Sequence, residues 1–193
     1  MLRAASSVAV NLAAPGPIGG TTPGAVSATT ISATSTITPS QVAGIVGTTT
    51  SNSAQAGSIG EFVTATVASG SAVPLTTGVG ANVTSISLTA GDWDINAQVD
   101  HLIAAATSIT QLNASMSLTS ATLSSQVGGS GLGTDATATA SFSAMVPTAN
   151  ITQGIAMVRF LISATTTVFL VAQDNFSVST VSAFGTIRAR RVR

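Results

Sequence analysis

The chain has 193 residues, 45% of them hydrophobic and only 6% charged, with no lysine, no cysteine and a formal net charge of zero. A hydrophobic content of that size excludes disorder of the low-hydrophobicity, high-charge kind, and the lack of cysteine excludes disulfides and thiolate metal sites. A neutral chain lacks the basic footprint of a nucleic-acid binder, and no run reaches the ~18 uninterrupted apolar residues of a membrane span, so neither nucleic acid nor membrane insertion is expected.

Charge is replaced by Ser, Thr, Ala and Gly. Hydroxyls keep a surface wet, and β-branched Thr suits a pleated sheet. So little charge leaves little repulsion between copies, a first sign of obligate assembly.

The N-terminal MLRAASSVAVNLAAPG imitates a secretory signal, with Arg3 ahead of a mildly apolar stretch. Ser6, Ser7 and Asn11 break that stretch, so it reads as a retained segment that docks against a partner. From Ala14 to Gly57 the chain is dominated by Gly, Pro, Ser and Thr, with isolated Ile18, Val26, Ile31, Ile37, Val42, Ile45 and Val46. Pro15, Pro17, Pro23 and Pro39 cut it into pieces too short for helices. AVSATTISATSTIT reads as short strands whose few apolar side chains cannot close a core within one chain. Three copies pooling them around a common axis would form a shaft. Residues 1–57 are therefore assigned to an anchoring arm and shaft, and 58–193 to a head domain.

From Gly57 onward strands follow one another at roughly 8–12-residue spacing, as in a sandwich or barrel. Phe62 to Val67 alternates; Val83, Ile86 and Leu88 lead into a turn at Ala90-Gly91-Asp92. Trp93, Ile95, Ala97 and Val99 alternate with Asp94, Asn96, Gln98 and Asp100, the pattern of a half-buried strand. Leu112 to Leu123 places Leu112, Ala114, Met116 and Leu118 on one face, and Gly128 to Gly133 reads as a mobile loop. Phe142, Ala144 and Val146 begin the return, followed by Ile155–Ile162, Val168–Ala172, Phe176–Val181 and Phe184–Val192. The count is about eight or nine strands with no convincing helix, so the fold class is all-β: an extended arm and short β shaft, then an antiparallel jelly-roll-like sandwich.

Few residues offer chemistry. His101 is the single histidine, and the neighbouring Asp100 points to the opposite strand face, so the two do not form a Ser-His-Asp arrangement. His101 reads as a hydrophilic strand-end residue. Asp92 and Asp94 share a face and would suit a divalent cation or a glycosidic bond, but no third ligand is evident; Asp92 reads better as a cap on the glycine turn. Arg188, Arg190, Arg191 and Arg193 form the one charge cluster, either a polyanion patch or, as the preferred reading, an ion-pair belt on the closing strand. Trp93 and the six phenylalanines are assigned to core packing. Sequons at Asn82 and Asn113 are expected by chance in so hydroxyl-rich a chain. No catalytic, cofactor-binding or metal residue is assigned, and no enzymatic activity is expected.

Two passages carry a resemblance. AAPGPIGGTTPGAVSATTISATSTIT, from Ala13 to about Thr38, resembles a P-x-x-I-G-G-T-T-P segment of bacteriophage tail-fibre and head-fibre proteins, where it precedes Thr-rich β segments. GEFVTATVASGSAVPLTTGVGANVTSISLTAGDWDI and the C-terminal SATTTVFLVAQDNFSVSTVSAFGTIRARRVR resemble a C-terminal module of phage structural proteins. Leu102 to Thr152 is not covered. A pattern-level similarity to trimeric jelly rolls of the C1q and TNF kind rests on Ile86, Gly91, Trp93 and Phe184-Gly185, and transfers no function. The phage resemblance implies a homotrimer on a virion, attached to capsid or tail proteins through its N-terminal arm. A head fibre or capsid decoration is the leading expectation, because the shaft is short. A tail fibre that recognises host surface glycans is the alternative. A polysaccharide depolymerase is disfavoured, because six acidic residues are too few for a carboxylate-lined groove.

Overall fold

In the computed structural model, which describes residues 50–124 and 136–193, the alternating segments form nine strands. They are β1 (Phe62–Val67), β2 (Val73–Pro74), β3 (Ala81–Leu88), β4 (Gly91–Ile103), β5 (Ser108–Ser117), β6 (Ala136–Met145), β7 (Ile151–Ile162), β8 (Thr166–Ser177) and β9 (Val181–Arg191). A 3-10 turn at Ser69–Ser71 is the one helical element among the described residues. Thr50 to Arg193 make one compact unit. The arm, most of the shaft and the Gly128–Gly133 loop read from the sequence lie outside the described residues.

One sheet has the order β1-β9-β4-β7, with β2 also paired to β9; the other runs β3-β8-β5-β6. Every pairing is antiparallel. Apart from the short β2, consecutive strands cross between the sheets except at β5-β6, which pair directly. That is the winding of a jelly roll. The all-β sandwich expected from the sequence is the fold observed.

Alternation supplies the core. Trp93, Ile95 and Val99 of β4, Leu112 and Met116 of β5, Leu170 of β8 and Ile187 of β9 all have zero exposure. Burial of such side chains contributes roughly 25 cal/mol per Å² of apolar surface removed from water.

Several boundaries differ from the sequence reading. β8 is one strand where the sequence suggests two. The polar run Gln173-Asp174-Asn175 resembles a break, yet each member is bonded in place. The Gln173 carbonyl accepts from Asn113 Nδ2 at 2.8 Å, Asn175 Nδ2 donates to Gln111 at 2.8 Å, and Asp174 turns inward to His101. β5 begins at Ser108 and ends at Ser117, leaving Leu118 41% exposed. Its hydroxyl face is buried too, because the chain after β5 folds back and Ser124 N donates to Ser115 Oγ at 3.0 Å. β6 begins ahead of Phe142, at Ala136.

Candidate functional site

β4 carries chemistry on both faces. Inward, the alternation that buries Trp93, Ile95, Ala97 and Val99 also buries His101, with zero exposure. Its Nδ1 lies 2.8 Å from Oδ2 of Asp174, equally buried on β8 of the opposite sheet. Gln153 of β7 donates from Nε2 to the Leu112 carbonyl at 3.2 Å. That bond turns its Oε1 toward His101 Nε2 at 3.0 Å, so this ring nitrogen is the donor. Asp174 Oδ1 accepts from the Asn113 backbone N–H at 3.3 Å. His101 is therefore not a hydrophilic strand-end residue. It ties the two sheets together, and both ring nitrogens are occupied within the core.

At the other end of β4 lies an ion-pair belt, formed by two of the four clustered arginines, Arg191 and Arg193, together with Arg159. Arg191, 5% exposed, stacks over Trp93 at 4.3 Å from the ring centroid. Its Nε donates to Glu61 at 2.9 Å and its Nη1 to the Ala90 carbonyl at 2.9 Å, while Nη2 reaches Thr89. Asp92 does not cap the glycine turn: its carboxylate takes a forked contact from Arg159 and a second guanidinium from Arg193 at 3.2 Å. The Arg159 hydrogen bond, helped by the charges of Arg159 and Arg193, holds the Asp92 carboxyl below its ordinary range, and Asp92 raises Arg159 in return. Glu61 is held low first by the Gly57 backbone N–H and then by Arg191. The Asp92 carboxylate is taken up by Arg159 and Arg193, and no group of three or more potential metal ligands is gathered among the described residues.

Outward, the sheet β1-β9-β4-β7 presents a row in register: Phe62, Arg190, Asp94, Arg159. The next row outward is Thr64, Arg188 and Asn96, where a bulge in β7 faces Asn96. A bulge sets two residues against one and re-aims side chains; here Met157 projects with 67% exposure. The result is a depression of about 380 Å³ lined by Phe62, Asp94, Asn96, Met157, Arg188 and Arg190. Arg188 and Arg190 are exposed, and among the described residues neither enters an ion pair.

The arginine cluster thus divides. Arg191 and Arg193 belong to the belt, while Arg188 and Arg190 line the depression. Phe62, expected in the core, is 48% exposed at its edge, whereas Trp93 and Phe160 are buried as expected. Asn113 is 3% exposed, with its side chain bonded to Gln173 and Thr139, so its sequon is not presented. Sequence reasoning missed Met157 and Arg159; the bulge that exposes Met157 leaves no mark in the sequence. All the described charged residues except Asp174 lie on or beside this sheet, and the outer face of β3-β8-β5-β6 carries none.

No protein-family model matches the chain, and no curated protein matches it. Among solved structures it is similar to a chain in the structure of infectious bursal disease virus, Gx strain, at 13% identity and a TM-score of 0.42. The match covers 77% of this chain and 37% of that one, so the chain spans little more than a third of the length of its structural neighbour.

Proposed function

We propose that the chain is a structural, non-enzymatic component of a bacteriophage virion. In this reading it is a homotrimeric head fibre or capsid decoration, anchored by its N-terminal segment and displaying the jelly-roll head on the particle surface. The observation that carries this reading is the disposition of the head's chemistry. Its single histidine is sealed in the core, and its described exposed charge is confined to one sheet face. A module with no accessible imidazole and one distinctive face suits display and contact better than turnover. The resemblance of Ala13–Thr38 and of the strands after Gly60 to phage fibre proteins supports the virion assignment, and the near absence of charge supports association of copies. Native mass measurement of the full chain is expected to give three copies, and antibody labelling is expected to find it on purified particles. A folded monomer at micromolar concentration, or particles without the protein, would overturn the proposal.

A second reading, a tail fibre or receptor-binding protein that recognises host glycans, is favoured by one observation: Arg188 and Arg190 stand without ion-pair partners over a depression edged by Phe62 and Met157.

A further inference from the structure

We infer that the depression on β1-β9-β4-β7 binds an acidic saccharide, a pyranose carrying a carboxylate or sulfate, with Arg188 and Arg190 taking the acid group. The inference rests on the second reading above and names the ligand class of that site.

The two guanidiniums lack ion-pair partners among the described residues. In a chain with 6 basic and 6 acidic residues, charge is scarce. Arg159, Arg191 and Arg193 are all committed to Asp92 or Glu61. Arg188 and Arg190 lie two apart on β9, so alternation sends both to the same outer face, where both are exposed. A planar guanidinium matches an oxyacid through two parallel N–H donors, and two of them side by side make an anion receiver rather than a packing device.

The rest of the lining selects a sugar over a bare polyanion. Asp94 sits between Arg190 and Arg159 in the cross-strand row and lines the same depression. A carboxylate there would repel a phosphate backbone but accepts hydrogen bonds from saccharide hydroxyls. Asn96, opposite Arg188, adds one amide that both donates and accepts. Phe62 and Met157, 48% and 67% exposed, supply an apolar wall for the C–H face of a pyranose ring. A site with acid receiver, hydroxyl acceptor and apolar wall within one depression matches the three surfaces of an acidic sugar. The neutral net charge of the chain argues against a general polyanion surface.

The test uses the full-length protein and calorimetric titration with three tetrasaccharides: a galacturonate, a heparin-derived sulfated one and a neutral cello-oligosaccharide. At least one acidic tetrasaccharide is expected to bind with a Kd below about 1 mM and at least about tenfold more tightly than the neutral one, weakening as salt rises. The carboxylate and sulfate arms identify which acid is read. Arg188→Ala with Arg190→Ala should reduce binding at least about tenfold with the melting temperature unchanged, and Phe62→Ala should weaken it independently of salt. Absence of binding to both acidic tetrasaccharides, or equal binding by the double variant, overturns the inference. So does a change of oligomeric state in the double variant, which would make the face a contact between copies. Tight binding of the neutral sugar would overturn the acidic class while leaving the receptor reading standing. Normal adsorption to the host by particles that lack the protein would end the receptor reading itself.

Discussion

His101 Nδ1 and Asp174 Oδ2 meet at 2.8 Å across the interior of the sandwich, one side chain from each sheet and both without solvent exposure. Gln153 and the Asn113 N–H complete the set, so both ring nitrogens of His101 and both carboxylate oxygens of Asp174 are bonded. Desolvation makes such a pair weak as a net source of stability but costly to break singly. His101→Leu leaves a buried carboxylate without its main partner, and Asp174→Leu leaves a buried imidazole in the same position. Each is expected to cost about 3–5 kcal/mol, and the double replacement much less than the sum. Urea unfolding of the four proteins in the cycle measures this. Additive costs would show that the two side chains act independently.

The two classes of arginine on β9 predict opposite behaviour. Arg191 is buried, forked onto Glu61 and Ala90, and stacked on Trp93. Arg191→Ala should destabilise the head by about 3 kcal/mol or more, because it strips Glu61 of its cation and uncovers Trp93. Arg191→Lys should recover only part, since an ammonium cannot reproduce the fork. Arg188→Ala with Arg190→Ala should leave unfolding unchanged within about 0.5 kcal/mol. Thermal melts of the three variants are sufficient to check the ranking.

β4 shows how far the sequence reaches. Trp93, Ile95, Ala97 and Val99 announce a strand with one buried face, and the same alternation carried two residues further places His101 inward. The parity of β9 likewise separates inward Arg191 from outward Arg188 and Arg190. What parity cannot supply is the partner. Asp174 comes from the opposite sheet, and Glu61 reaches Arg191 only because β1 pairs with β9. The depression was half legible, since Arg188 and Arg190 stand out as charge in an uncharged chain. Phe62 looked like a core residue and Met157 was not singled out, because exposure at an edge strand or a bulge depends on what the rest of the fold leaves uncovered.

Acid should loosen the head at its arginine belt. Glu61 and Asp92 both lie below their ordinary values of 4.5 and 3.8, Glu61 through the Gly57 N–H and Arg191, Asp92 through Arg159. A carboxyl with a depressed folded-state pKa contributes stability that is fully present above its unfolded value and is lost as pH falls through the folded one. The melting temperature should therefore be flat from neutral pH down to the ordinary carboxylate range and then decline. Glu61→Gln should start lower at neutral pH and decline less over the acid limb. Parallel acid limbs in the two proteins would show that Glu61 contributes nothing to the dependence.

Gly185 and Gly154 test the packing of the same sheet in opposite directions. Gly185 lies mid-strand on β9, paired with Val67 of β1 and Val99 of β4. A Cβ built there collides with the backbone carbonyl of Gln98, which is held in the sheet and cannot rotate away as a side chain can. Gly154 lies on the outer face of β7 opposite Gln98, and a Cβ there meets nothing within 4 Å. Neither backbone lies in the left-handed region, so the two substitutions differ only in the space available. Gly185→Ala must spread β9 from β4 or distort both, at an expected cost of about 1–3 kcal/mol or more. Gly154→Ala removes unfolded-state freedom without a clash and should stabilise by a few tenths of a kcal/mol, up to about 1. Because β4 and β9 carry Trp93, Arg191 and His101 between them, the Gly185→Ala change should also weaken protection of the β4 amides against hydrogen exchange. Equal stabilities for the two alanine variants would mean that β9 does not sit as close to β4 as the register requires.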